Sequence, residues 1–373
     1  MRKNILIFCH SPATQFIDAC NQYVGLFDRE KYHVTVAYLC GAREERAEER
    51  TQSERVIFLN QSKRAVRGLK LAALWALYRL CRAQKFYMVI CHRYKPFYLY
   101  LLTEKLLPPA VLLFVAHDQE TLTSRSRCLL IRLLARKNTY FAGVSNAMRD
   151  VLCRALSGGI PHERIATLYN AVDMPSLQAS FLQRSDARAR LELPSEALVF
   201  GTTGRLEANK DQATLIRAFG LIQSKCPDAL LLIVGEGEEA ASLKALASEC
   251  GVGECVQFAG FLPEGWRYLP AVDVFLLTSA GKESFGRVLA EAMTAGVPVI
   301  GVKTGGIPEV IGDAGALVPP RDPHLLAAEM LRYYEMTPGA RLQQGERGRL
   351  RIQARFSLPH FYESFWNFVP HET

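Results

Sequence analysis

Twice along this chain, short apolar runs alternate with amphipathic stretches, and that rhythm restricts the possible folds more than any other feature. In the first half the runs are "NILIFC" (4–9), "HVTVAYL" (33–39), "VIFL" (56–59), "YMVICH" (87–92) and "AVLLFVAHD" (110–118). In the second they are "LVFGTTGRL" (198–206), "ALLLIVGEG" (229–237), "VQFAGF" (256–261), "VDVFLLTS" (272–279) and "GVPVIGV" (296–302), ending near "GALVPP" (315–320). Near-continuous apolar strands separated by helical patterns mark βαβ units, whose parallel sheets are buried on both faces. At 373 residues the chain exceeds one ordinary core. We therefore expect an α/β fold of two doubly wound, Rossmann-like domains facing a cleft.

The polar stretch "NAVDMPSLQASFLQRSDARARLELPSE" (170–196), punctuated by Pro175 and Pro194, reads as the linker. This predicts an N-terminal domain over 1–180, a second domain over 181–350 and a helical tail over 351–373. The tail "RFSLPHFYESFWNFVPHET" (355–373) carries too much aromatic area for a disordered end, so it is expected to dock, crossing back to the first domain. The mixed-charge stretch "GAREERAEERTQSER" (41–55) reads as a solvated helix or loop.

No uncharged apolar run reaches the length that spans a bilayer. The opening "MRKNILIFCHSP" is too short in its apolar part for a secretory signal and suits a buried first strand. The ten cysteines show no C-x-x-C pair, and Cys9, Cys40 and Cys91 sit in or beside apolar runs. They read as reduced core thiols rather than disulfides or zinc ligands, which places the chain in the cytoplasm. The net charge of +8 is uneven: residues 1–170 carry 26 Lys and Arg against 13 Asp and Glu, and residues 171–373 carry 19 against 24. A cationic half suits an anionic membrane surface or an acidic acceptor. Nucleic acid is set aside, because no recognition module accompanies the charge.

In a doubly wound sheet, ligands bind beyond the carboxyl ends of the strands. There the second half has "GTTGRLEANKD" (201–211). Gly204 opens the turn, and Arg205 and Lys210 place two cations beside a helix N-terminus, an anion site suited to a diphosphate. "IVGEGEE" (233–239) resembles the start of a dinucleotide fingerprint but lacks the third glycine, and its glutamates would repel a pyrophosphate, so NAD binding is rejected.

Further on, "GKESFGRVLAEAMTAGVPVIG" (281–301) places Glu283 just before a helix and Glu291 about one and a half turns inside it. Backbone N–H groups around Ser284, Phe285, Gly286, Arg287 and Val288 favour a phosphate or sugar hydroxyls there. A carboxylate accepts from vicinal hydroxyls, so one glutamate for a hexose and one for a ribose is a coherent pairing. In the first half, His117 and Asp118 end an apolar run. No D-x-D occurs, so no metal ion is expected on the diphosphate and the two cations take its place.

Taken together, "GRLEANKD", "GEGEE", "GFLPE", "LLTSAGKESFGRVLAEAMTAGVPVIG" and "TGGIPEVI" stand in an order and spacing that resembles the GT-B retaining glycosyltransferases of family 4, including those of the bacterial cell envelope and lipopolysaccharide core. The first half is similar more loosely, through "AHDQE", "GVSNAMRD" and "LYNAVD", with Ala171 where the family has glycine. The resemblance implies a catalytic set of His117, Glu283, Arg205 and Lys210. Arg205 and Lys210 would grip the donor diphosphate, Glu283 the hexose and Glu291 the ribose. The residues from Ser284 to Val288 would line the sugar and phosphate. His117 would sit over the sugar, with Asp118 and Asn170 in the cleft. It further implies hexosyl transfer from a nucleotide sugar, for which a UDP-sugar is our choice, to a hydroxyl of a glycan or lipid-linked acceptor. The transfer would retain anomeric configuration and use neither metal nor cofactor. "FCHSPATQFID" (8–18) departs from the family by lacking its paired glycines.

The basic stretches "KRAVRGLKLAALWALYRLCRAQK" (63–85) and "RSRCLLIRLLARK" (125–137) surround apolar helical stripes with cations. They suit packing on the sheet, and also peripheral attachment to the anionic inner membrane. The rival readings are a degenerate binding or scaffold protein of the same fold and a nucleotide-sugar epimerase.

Overall fold

A computed structural model of the chain describes residues 2–12, 14–43, 45–62, 70–118, 122–281 and 283–371. It divides into two compact units, Met1–Ala171 with Phe361–Thr373, and Val172–His360.

The first unit holds strands β1 (Lys3–Cys9), β2 (Tyr32–Cys40), β3 (Arg55–Gln61), β4 (Met88–His92), β5 (Val111–Ala116), β6 (Thr139–Gly143) and β7 (Ile165–Thr167). They form one sheet in the order β3-β2-β1-β4-β5-β6-β7, with every pairing parallel. Ile5 to Phe8, Met88 to Cys91 and Leu112 to Val115 have no exposed side-chain surface, as a sheet covered on both faces requires. β6 and β7 were not among the expected runs: "TYFAG" and "IAT" are too short to stand out from a helical neighbourhood by periodicity.

The second unit holds β8 (Leu198–Thr203), β9 (Ala229–Val234), β10 (Val256–Gly260), β11 (Val274–Leu277), β12 (Val299–Val302) and β13 (Ala316–Val318), in the order β10-β9-β8-β11-β12-β13, again parallel throughout. Both sheets reverse direction of growth once, between β1 and β4 and between β8 and β11. Such a switch leaves a crevice at the strands' carboxyl ends, where ligands of this architecture bind.

The units divide at 171 and 360, whereas the sequence suggested 180 and 350. The shift has a local cause. Val172 N–H donates to the Phe356 carbonyl at 2.8 Å and Val172 bridges Ser357, so the chain joins the second unit ahead of the prolines. The last helix, Leu358–Phe368, buries Phe361 and Phe365. The Tyr23 and Phe361 rings meet edge to face at 4.9 Å, and Phe27 meets Trp366 at 5.7 Å.

All ten cysteines are free and seven are buried. Of the two basic stretches, the helices Leu71–Ala83 and Arg125–Leu134 are seen, while residues 63–69 lie outside the described residues.

Candidate functional site

The densest polar arrangement in the second unit grows from the switch between β8 and β11. β8 ends at Thr203, and Gly204 turns the chain with its N–H on the Val234 carbonyl at 3.0 Å. The loop after β9 passes against this turn so closely that a Cβ on Gly235 would lie 1.9 Å from the Gly204 carbonyl, and one on Gly237 2.2 Å from that of Leu206. The glycines of "GEGEE" therefore serve backbone packing beneath the Arg205 turn.

A short 3-10 turn, Ala208–Lys210, then carries Lys210 inward, and Asp211 caps the following helix through the Thr214 hydroxyl at 2.8 Å. The Lys210 ammonium donates to Glu283 Oε2 at 2.7 Å, with both side chains largely buried. Ser279 Oγ donates to the same oxygen at 3.3 Å, and the Gly286 N–H donates to Glu283 Oε1 at 3.2 Å. Gly286 has φ 89° and stands at the N-terminus of the helix Arg287–Thr294. The carboxylate thus sits at the positive end of that helix dipole.

Arg287 Nε donates to Glu291 Oε1 at 2.9 Å, an i,i+4 pair whose carboxylate is only 12% exposed. An uncompensated carboxylate at that depth is costly, and the arginine one turn earlier compensates its charge. Ser284 and Phe285 are buried, with Phe285 edge to face on Phe356 at 5.5 Å, so they anchor the loop. Val288 is part-buried in the first helical turn. Arg205 stands apart from this cluster: its guanidinium pairs with neighbouring Glu207, and the side chain is 65% exposed. Lys282 lies outside the described residues.

Sequence reasoning missed the scaffold behind Glu283. Gly305, at φ 52°, packs where a Cβ would come within 1.9 Å of the Glu283 carbonyl, and one on Gly306 would lie 2.5 Å from the Ser284 carbonyl. The Gly306 N–H donates to the Glu283 carbonyl at 3.0 Å. Thr304 and Thr278 hydroxyls donate to the Ser279 and Lys210 carbonyls at 2.8 and 3.1 Å. The paired glycines of "TGGIPEVI" were the available signal.

The first unit holds the other candidates. His117 follows β5, and its Nε2 is 2.9 Å from Nδ1 of His92, the last residue of β4. The two rings stack at 5.1 Å. Burial, reinforced by the Arg93 cation, lowers the His117 pKa to about 4, so near neutral pH it is a neutral imidazole. Burial also drives His92 well below its ordinary value. Asp118 follows His117 and is part-buried, and Gln119 and Glu120 lie outside the described residues. Asn170 Oδ1 is buried without a hydrogen-bond partner among the described residues.

Comparison with known proteins follows these two units. The family described as "Glycosyl transferases group 1" matches residues 183–351, and "Glycosyltransferase Family 4" matches residues 24–174. The N-acetyl-alpha-D-glucosaminyl L-malate synthase of Bacillus anthracis is 32% identical over 201 residues, covering 52% of this chain and 51% of its own. The lipopolysaccharide core biosynthesis glycosyltransferase LpsE of Rhizobium meliloti is 36% identical over 119 residues, covering 32% and 34%. The chain thus spans about half or less of the length of these curated relatives. Among solved structures, a glycosyltransferase from Rickettsia africae ESF-5 superposes with a TM-score of 0.84 at 15% identity, covering 99% of this chain and 98% of its own. Anabaena HepE in complex with UDP does so with a TM-score of 0.80 at 21% identity, covering 98% and 99%. These likenesses establish the fold, two parallel-sheet α/β domains of the GT-B class. The chain thus carries a Glycosyltransferase Family 4 domain in its first half and a group 1 glycosyl transferase domain in its second.

Proposed function

We propose that this chain transfers a hexose from a nucleoside diphosphate sugar, a UDP-sugar in our reading, to a hydroxyl of a glycan or lipid-linked acceptor such as a lipopolysaccharide core. Transfer would retain anomeric configuration and need no metal ion on the diphosphate. The observation that carries the reading is the Lys210–Glu283 pair at 2.7 Å, at the mouth of the helix Arg287–Thr294 and at the sheet's switch point. A lysine ammonium has three donors, so Lys210 can hold Glu283 with one and a diphosphate with the others. Glu283 orients the cation and keeps lone-pair capacity for a sugar hydroxyl. Positive charge fixed beforehand lowers the barrier by stabilising the departing nucleoside diphosphate. Arg205, on the same turn, adds a second cation once it leaves Glu207.

In this reading the acceptor hydroxyl attacks from the leaving group's side and a phosphate oxygen takes its proton, so no protein nucleophile is required. His117, kept neutral by burial, supplies a hydrogen bond to the sugar rather than a charge. Glu291 is assigned to the ribose and Asn170 to bracing the site. The relatives support the envelope setting: one is named for lipopolysaccharide core biosynthesis, and another is a GDP-mannose-dependent phosphatidylinositol mannoside mannosyltransferase. HepE is solved with UDP-glucose, which favours UDP as the first choice.

The test is thermal stabilisation by UDP, GDP, ADP and CMP, with and without EDTA. A ligand at about 100 times its Kd adds about 2.7 kcal/mol. We expect a selective, EDTA-insensitive shift with UDP. A shift confined to another diphosphate replaces the UDP assignment, and no shift with any nucleotide favours a binding protein without turnover. Acceptor-independent release of an altered sugar would instead indicate an epimerase.

A further inference from the structure

At the switch point of the first sheet, two sulfurs and an imidazole converge. Cys9 ends β1, Cys20 lies on the helix Thr14–Val24 and His92 ends β4. All three are buried, with relative exposures of 1%, 1% and 3%. One ligand atom from each lies within 4.8 Å of the others, and the two sulfurs are 2.7 Å apart. They line a small cavity of about 10 Å³, together with His10, Ser11 and Arg93.

We propose that Cys9, Cys20 and His92 hold a zinc-class divalent ion in the first unit. A buried polar atom without a partner is costly and calls for a missing water or ion. His92 Nε2 and His10 Nδ1 are two such atoms, on residues lining this one cavity. The other His92 nitrogen is already on His117, which matches the outer-shell hydrogen bond that orients metal-bound imidazoles. Two thiolates and one imidazole leave a fourth tetrahedral position for a water, with His10 on the same cavity wall.

A tetrahedral ion with bonds of about 2.3 Å to sulfur and about 2.0 Å to nitrogen spaces its ligand atoms about 3.5–3.8 Å apart. Side-chain movements of about 1 Å therefore suffice. Binding forms two sulfur–metal bonds and one nitrogen–metal bond and releases two thiol protons to solvent. The thiolates cancel the ion's double charge, so the neighbouring Arg93 does not oppose it. A Cys9–Cys20 disulfide would satisfy the sulfurs but leave both imidazole nitrogens unpartnered, which is why the metal is preferred. The inference concerns the first unit alone and does not rest on the donor-site reading.

The experiment uses the full chain, stripped of metal under reductant and titrated with Co²⁺, then with Zn²⁺ against a chromophoric chelator. We expect one equivalent of Co²⁺ to give a thiolate-to-cobalt charge-transfer band that Zn²⁺ abolishes. Cys9→Ser and Cys20→Ser should lose the band, His117→Gln should weaken binding by about 10-fold, and Cys226→Ser should leave it intact. Absence of the band in the folded wild-type chain overturns the site, whatever the variants do. So does an equal band in Cys9→Ser, or a Cys9–Cys20 disulfide persisting under the reductant.

Discussion

Glu283 accepts three hydrogen bonds, from Lys210, Ser279 and Gly286. A carboxylate offers roughly four lone-pair sites, so little capacity remains, and it lies on the oxygens that a sugar hydroxyl would approach. Lys210→Ala removes the fixed cation. We expect kcat to fall by at least about 100-fold, with an unfolding midpoint within a few degrees of wild type, because the pair joins two loops outside the apolar core and keeps some contact with solvent. Glu283→Ala should lose transfer similarly. Wild-type turnover in either variant, measured with radiolabelled donor sugar, would remove both residues from the donor site.

At the scale of elements, the site depends on loops that touch backbone to backbone. The turn after β12 carries Gly305 at φ 52°, against the Glu283 carbonyl. Gly305→Ala forces a methyl group into that contact in a left-handed conformation and should cost on the order of 3 kcal/mol. It should also weaken nucleotide binding, because the loop bearing Glu283 must move. Gly339→Ala, where nothing lies within 4 Å of an added Cβ, is the control. Equal urea midpoints for the two variants would contradict the packing argument.

For the whole molecule, stability and surface each carry a prediction. Glu104 is buried, neither of its oxygens has a hydrogen-bond partner among the described residues, and Arg136 is 4.0 Å away. Burial pushes its pKa up to about 7 despite that cation. The folded chain therefore binds more protons than the unfolded chain between about pH 4.5 and 7, and stability falls as pH rises through that window. Glu104→Gln should remove this fall and stabilise the protein at pH 8 by on the order of 3 kcal/mol, as read from urea midpoints at pH 5 and pH 8. A parallel pH dependence in wild type and variant would refute it. On the surface, Leu71, Trp75, Leu129 and Leu133 are each more than half exposed. They stand on helices that also carry cations, with Arg79 over the Trp75 ring at 4.6 Å. No helix among the described residues is long and apolar enough to cross a membrane. Flotation with anionic but not neutral liposomes at physiological salt is expected, and Trp75→Ala should reduce it. Equal recovery with both lipids would argue against peripheral attachment.

Periodicity alone was enough to read two parallel-sheet halves, because a strand buried on both faces must be apolar along its length, wherever its partners lie. The residues gathered at the switch between β8 and β11 were legible for a related reason. Gly204 to Lys210 and Glu283 to Glu291 each lie on one short strand-to-helix segment, so their neighbours in space are neighbours in the chain. Contacts made across the fold left no such trace. Gly305 reaches Glu283 from a different turn, and the strands β6 and β7 were too short to show a period. Cys9, Cys20 and His92 meet only because β1 and β4 pair across the switch point. Two strands and two helices stand between Cys20 and His92, so the spacing of the three residues carries no pattern, and their convergence is a property of sheet order, which long-range packing selects.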